Sequence, residues 1–299
     1  MDALSKALGL EVTVLVDLAN TASHRYRLAK AELKADGTIR QTYDALDLLK
    51  EVHDRIKNNI FLRVHFPDYL TGSLKGKDYV TNARLHTGAK IIISEDVEAF
   101  FPSTSDSLVF KIWKSFFGFS DDVAQILTKL TTKDGQLPQG AKTSSYLANL
   151  AFWDSEYKLH KILVEKKIVY SRFVDDIAIS SKTYLTNEDK TILIAKVYGM
   201  LKRHGYRAKR RKHEIATSGS RMIITKLTVN SCNPSLSKKE KSSIRAVVNQ
   251  LENKATLTKT DINKATGLVG KLSRLHPAEG QKLLSRVRLV RNINNSIFA

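Results

Sequence analysis

Apolar residues along this chain fall into two patterns, short unbroken blocks and sets spaced by three and four, and each predicts a different element. The first 88 residues mix short helical spacings with a turn signal at Asp36-Gly37 and a polar stretch from Gly72 to Asp78. Ile91-Ile92-Ile93 is an unbroken block that ends in acids, as in a buried strand that delivers carboxylates at its end. Helices are predicted from Ser107, from Ser120, and over residues 142–163, the last carrying Leu147, Leu150, Ala151 and Tyr157. Residues 167–181, KIVYSRFVDDIAISS, read as two β-rich arms around Val174-Asp175-Asp176, a tight hairpin with acids at its tip. A helix from about Asn187 to His204 follows, then a second hairpin within residues 220–230. Three helices close the chain. Ser237 and Glu240 have capping-box spacing ahead of Ile244, Val247, Val248 and Leu251, a second helix starts near Thr258 or Thr260, and Pro277 suits the first turn of a third.

Composition narrows the setting. The 299 residues include 42% hydrophobic types with only 14 Gly and 5 Pro, enough for a sizeable core. One cysteine, Cys232, excludes an internal disulfide and a Cys-rich zinc site and fits a reducing compartment. No apolar run approaches the roughly 18 residues that span a bilayer, and Asp2 stands where a secretory leader would be basic. A cytoplasmic protein without a membrane partner is expected. The formal charge is +19, and it is unevenly placed: residues 1–200 carry +2 and residues 201–299 carry +17. Such asymmetry predicts a near-neutral body followed by a surface that follows phosphates.

Two Asp-Asp pairs differ in meaning. Asp121-Asp122 follows Ser120 and fits the first turn of a helix, where carboxylates complement free N–H groups. Asp175-Asp176 sits between apolar arms, where adjacent carboxylates repel and resist desolvation, so a compensating cation is needed. With Asp96 at the end of the Ile91 strand, they make an oxygen-donor set suited to Mg²⁺. Two such ions support in-line displacement at phosphorus. By themselves, three acids serve a nuclease equally well.

The motifs decide between these. EDVEAFFPS (residues 95–103) resembles the strand-to-helix motif of reverse transcriptases that carries their first catalytic Asp, LPQGAKTSSYLANL (137–150) their Gln-Gly nucleotide motif, and FVDD (173–176) their Tyr/Phe-x-Asp-Asp motif, all in the family's order. NARLH (82–86) and LVGKLSRLHPAEGQKLLSRV (268–287) resemble segments of the bacterial retron-type enzymes. Two departures stand out: Ile224-Thr225-Lys226 where retron enzymes usually have Val-Thr-Gly, and Lys142 and Ser145 where the bacterial pattern usually has prolines.

The resemblance implies an α+β right-hand polymerase fold: fingers over residues 1–88, a palm of antiparallel sheet plus helices over 89–233 with an interleaved fingers segment 102–141, and a helical thumb over 234–299. Asp96, Asp175 and Asp176 are then the catalytic acids, holding two Mg²⁺ with the Val97 carbonyl as a further ligand. Phe101, five residues after Asp96, is the steric gate against a 2′-hydroxyl. Gln139 and Gly140 lie against the incoming dNTP, and Arg40, Lys34 and Lys212 act on its triphosphate. Asn82 and His86 serve RNA recognition or fold support. Arg210, Arg211, Lys271, Arg274, Lys282 and Arg286 grip the RNA–DNA duplex. The expected template is a structured noncoding RNA, with an effector protein of an antiphage system as a further partner. The alternatives are a group II intron-like or other defence-associated reverse transcriptase, and a catalytically silent RNA-binding scaffold.

Overall fold

The computed structural model describes residues 1–33, 37–254 and 256–293. Helices α1 (Asp2–Leu8) and α2 (Val12–Thr21) lead into an antiparallel hairpin of β1 (Tyr26–Leu33) and β2 (Ile39–Ala45). The short helical spacings of this region had hidden these strands. Beyond Tyr26 all of β1 is exposed on both faces, as is the start of β2, leaving Leu28, Leu33 and Ile39 in solvent, so the inward periodicity that marks a covered strand is missing. Gly37 takes a φ of 80° in the predicted turn, and its neighbour Asp36 lies outside the described residues. Helices α3 (Asp47–Asn59) and α4 (Tyr79–Leu85) follow.

A four-stranded antiparallel sheet forms the centre, in the order β4-β5-β3-β6, from β3 (Ile91–Asp96), β4 (Val169–Phe173), β5 (Asp176–Ser181) and β6 (Glu214–Thr217). β3 is internal and both of its faces are covered, so it reads as a continuous apolar block instead of alternating. Ile93 enters one core, shared with the N-terminal helices, and Ile92 enters another, shared with the C-terminal helices. Between β3 and β4 run α5 (Phe100–Ser103), α6 (Asp106–Lys111), α7 (Asp121–Thr131), α8 (Ser144–Asn149) and α9 (Glu156–Glu165). Asp121 and Asp122 occupy the first turn of α7. The single helix expected over residues 142–163 is instead two, α8 and α9, separated by turns at residues 150–155, and Tyr157 points outward. Leu150, Ala151 and Phe152 are buried in those turns, so their apolar spacing mimicked a helix.

Helix α10 (Asn187–Arg203) begins with a reciprocal capping box between Thr186 and Asp189. The second hairpin is β7 (Ile223–Ile224) with β8 (Leu227–Thr228). Its two turn residues, Thr225 and Lys226, have φ of 45° and 69°, left-handed positions that favour glycine. The Thr225 hydroxyl donates to the Tyr79 carbonyl at 2.7 Å and helps to hold that turn. Helices α11 (Lys238–Glu252), α12 (Lys259–Leu275) and α13 (Pro277–Ile293) pack together through Ile244, Val248, Ile262, Val269, Leu283 and Val287. Ser237 caps α11 by accepting from the Glu240 N–H, while the Glu240 carboxylate turns away to Lys271.

Candidate active site

The acids meet because of strand register. Asp96 stands directly opposite Asp176 on β5, and Phe173 pairs with the same Asp176, so Val174 and Asp175 form a two-residue turn beside it. Like charges on directly opposed positions destabilise a sheet. The turn is tied to the end of β3 by the Val97 N–H, which donates to the Asp175 carbonyl at 2.9 Å. Val97 itself is buried.

Asp96 is 5% exposed, Asp175 half-buried and Asp176 open to the cleft. Desolvation raises the Asp175 pKa, with the Asp96 charge adding to it. Desolvation, then Asp175 and Asp96, push Asp176 up to about 7. Water in the open cleft tempers that shift without reversing its direction. Lys212 pairs with these acids, its Nζ bonding to Asp96 Oδ2. Desolvation disfavours the Lys212 ammonium, but the bond to Asp96 and the charges of the other two acids outweigh it and raise its pKa. Backbone bonds set this register: Lys209 N–H donates to the Asp96 carbonyl at 2.7 Å and Glu98 N–H to the Arg207 carbonyl at 2.8 Å. Lys212 thus reaches the acids from a single 3-10 turn, Arg210–Lys212, all three residues of which are exposed.

A cleft of about 660 Å³ opens over Asp96 and Asp176, walled by Lys212, the β7–β8 hairpin and Lys271 of α12. Among the described residues, no three carboxylate, imidazole or thiolate side chains already surround a common point. The donor set nevertheless fits a hard divalent cation: three carboxylates at one end of the sheet hold more negative charge than Lys212 offsets, and desolvation, with the neighbouring Asp charges adding to it, raises the pKa of two of them.

The expected nucleotide-binding residues form a second group. Tyr43 N–H of β2 donates to the Gln139 carbonyl at 2.7 Å. With its amide oxygen turned toward β2, Gln139 accepts from Arg40 Nε at 2.9 Å. Gly140 has a φ of 104°, and a Cβ there would lie 2.8 Å from the Tyr43 carbonyl oxygen. The close approach that requires glycine is therefore, in this structure, to strand β2. Ala99, with a φ of 46°, is the N-cap residue of α5. Phe100 enters the core against Phe152 and Tyr206, while Phe101 meets Phe100 edge-on and stays half-exposed. Lys34 lies outside the described residues.

His86 does not reach a nucleic-acid surface. It is 1% exposed, with its ring nitrogens hydrogen-bonded to the hydroxyls of Ser180 and Ser171 at 2.7 Å, and desolvation lowers its pKa to about 4. Asn82 is buried too, and accepts from the Thr71 hydroxyl at 2.8 Å. Both are held inside the fold by these bonds, and Asn82 contributes to the lining of the cleft. On the C-terminal helices, Arg274 pairs with Asp78 and lies 5.8 Å over the Tyr79 ring, Lys271 pairs with Glu240, and Arg286 pairs with Glu252. Lys282 and Arg286 line a separate groove between α11 and α13. Sequence reasoning passed over Arg172, Glu156, Gly72 and Asn149, which surround the Asp175 turn. A charged Arg172 inside an apolar hairpin was the available signal; Glu156, on a helix rich in charge, gave none.

An antiparallel sheet that brings paired acids to the floor of a cleft beside a basic helical unit is the arrangement of a nucleotidyl-transferring polymerase. Residues 33–245 match the family model described as "Reverse transcriptase (RNA-dependent DNA polymerase)". The chain belongs to the reverse transcriptase family, among the bacterial retron-type enzymes, and is an RNA-directed DNA polymerase. It is 34% identical over 292 residues to the retron Se72 reverse transcriptase of Salmonella heidelberg, covering 95% of this chain and 77% of that protein. It is 32% identical over 295 residues to the retron Ec48 reverse transcriptase of Escherichia coli, covering 92% and 72%. A solved chain of telomerase from Candida albicans superposes with a TM-score of 0.41 at 8% identity, over 65% of this chain and 40% of that one, too slight a likeness to bear on the fold.

Proposed function

We propose that this enzyme copies a structured noncoding RNA into DNA at the Asp96, Asp175 and Asp176 centre, in the bacterial cytoplasm and as part of an antiphage system. In this reading residues 1–88 with 102–141 are fingers, the rest of 89–233 is palm and 234–299 is thumb. The observation that carries it is the strand register that puts Asp96 opposite Asp176 with Asp175 in the adjoining turn. These carboxylates, with the Val97 carbonyl, would hold two Mg²⁺, which when bound supply activation of a 3′-hydroxyl and neutralisation of the leaving pyrophosphate.

The chain's own residues do the rest. Arg40 and Gln139, already bonded to each other, bind the triphosphate and orient the nucleotide over Gly140. Phe101 offers a half-exposed ring under the sugar and excludes a 2′-hydroxyl by bulk. Lys212, bonded to Asp96 beside the acids, would be placed to donate a proton to the leaving pyrophosphate. The basic face of α12 and α13 follows the template–primer duplex.

The test is dNTP incorporation by purified protein with its co-purifying RNA, in Mg²⁺ and after chelation. Synthesis is expected with Mg²⁺ and none for the Asp175→Ala, Asp176→Ala double variant. Wild-type incorporation by that variant would remove the acids from catalysis. Sequencing the product would identify the template and any RNA–DNA branch.

A further inference from the structure

The Val174–Asp175 turn is held from behind by groups that take no part in nucleotide transfer. Arg172 is fully buried in β4 and uses all five of its N–H groups. Nε donates to Glu156 Oε1 at 2.6 Å and Nη2 to Glu156 Oε2 at 2.8 Å. Nη2 also donates to the Asn149 carbonyl at 2.9 Å, and Nη1 to the carbonyls of Val174 and Ala148 at 3.1 and 3.4 Å. The guanidinium lies 5.1 Å over the Phe152 ring, and Glu156 accepts a further bond from the Tyr170 hydroxyl at 2.6 Å. A buried ion pair adds little net stability over an apolar pair of the same size. What this one does add is a fixed donor aimed at the Val174 carbonyl, in the turn that carries Asp175.

That turn needs holding. Val174 has a φ of 60°, a left-handed conformation that a β-branched residue disfavours. Gly72 packs closely against it as well: a Cβ there would lie 2.5 Å from the Val174 nitrogen and 2.6 Å from its Cγ2. Asn149 joins the two supports, since its carbonyl takes Arg172 Nη2 and its side-chain amide donates to the Gly72 carbonyl at 2.9 Å.

We propose that Arg172, locked by Glu156 and acting on a turn that packs closely on Gly72, is a positioning residue that sets where the Asp175 carboxylate stands. The inference rests on the reading of Asp96, Asp175 and Asp176 as metal-binding acids. Arg172 is fully enclosed and acts only through the turn. Displacing a reacting group by about 1 Å can cost roughly a hundredfold in rate.

The decisive variant is Arg172→Met with Glu156→Met, which removes both charges together and leaves neither buried ion unpaired. The full-length protein is assayed on poly(rA) primed with oligo(dT), with dTTP and MgCl₂. Mn²⁺ binding is read from the EPR signal of the free ion, and folding from thermal unfolding. The double variant should melt within about 4 °C of wild type. Its kcat and its Mn²⁺ affinity should fall about ten- to a hundredfold, while KM for dTTP stays within about threefold. Gly72→Ala should give the same kinetic signature with the ion pair intact. Wild-type kcat and Mn²⁺ affinity in either variant would overturn the proposal, as would a loss of activity that only tracks the loss of folded protein. The underlying reading fails separately: if Asp175→Ala binds Mn²⁺ as wild type does, the acids are not metal ligands, whatever Arg172 does.

Discussion

The centre of the sheet and the C-terminal helices both pair their charges, but to opposite ends. Arg172 and Glu156 are enclosed, with every guanidinium N–H bonded, and their carbonyl partners include the turn beside the acids. On α11 to α13 the pairs Arg245–Glu279, Lys254–Asp261 and Arg286–Glu252 lie at the surface with half-exposed side chains. The buried pair cannot exchange partners without exposing an unpaired ion, so it fixes geometry. The surface pairs are worth at most about 1 kcal/mol each, so a phosphate can replace a carboxylate at little cost. Position is built into one region and exchangeable pairing into the other.

Breaking only one half of the buried pair should give the largest effect on stability. Glu156→Gln leaves the Arg172 guanidinium without its counter-charge and should cost about 3–5 kcal/mol, read from the midpoint of urea unfolding. A cost below about 1 kcal/mol would put this pair in the same class as the surface ones and erase the contrast.

Acid should also act on the body of the protein more than on its basic helices. Desolvation holds His86 and His53 at pKa values of about 4. The His86 ring bonds to the Ser171 and Ser180 hydroxyls, whereas His53 bonds to the Leu130 carbonyl at 2.8 Å, with Tyr26, Asp54 and Lys142 nearby. A folded pKa below the ordinary value near 6.5 means the unfolded chain binds more protons. Stability is therefore complete above about pH 6.5 and falls as the pH drops toward 4, by up to roughly 3 kcal/mol per residue. Urea midpoints between pH 7 and pH 4.5 measure this. His86→Gln, which cannot titrate, should flatten the decline, and an unchanged slope would mean that His86 is solvated.

The acids were legible because strand and turn carry local signals: an apolar block ending at Asp96, and two apolar arms around Asp175-Asp176. The three C-terminal helices were legible for the same reason, their apolar spacing being continuous from Ile244 to Val290. What supports the acids was not legible. Gly72 lies about a hundred residues from Val174, and only its missing Cβ allows the approach. Glu156 looks like any helical acid until Arg172 is brought against it. The first hairpin escaped because its exposed apolar residues break the alternation of a covered strand. The turns at residues 150–155 escaped because buried loop residues imitate a helix. His86, part of a motif in sequence, lies buried with its ring bonded to Ser171 on β4 and Ser180 on β5, strands far along the chain.

The finest test of the contrast lies within the basic helices. Lys282 makes no ion pair among the described residues, whereas Arg286 is held on both sides of its guanidinium by Glu252, with Nε donating to Oε1 at 2.7 Å. If these helices follow a duplex, Lys282 can neutralise a phosphate directly, while Arg286 must first leave a carboxylate that competes for it. Each phosphate left without its cation should lower the slope of log K against log salt by roughly 0.9. Lys282→Gln should therefore weaken binding of an RNA–DNA hybrid and flatten its salt dependence by nearly that amount, and Arg286→Gln by distinctly less. Glu252→Gln, which frees Arg286, should steepen the slope. All three should leave the unfolding free energy, read from urea titration, within about 1 kcal/mol of wild type. Fluorescence anisotropy with a labelled hybrid at several KCl concentrations measures the slopes. Equal effects of Lys282→Gln and Arg286→Gln would show that the surface pairs do not hold their cations back, and unchanged slopes in all three would move the grip to another face.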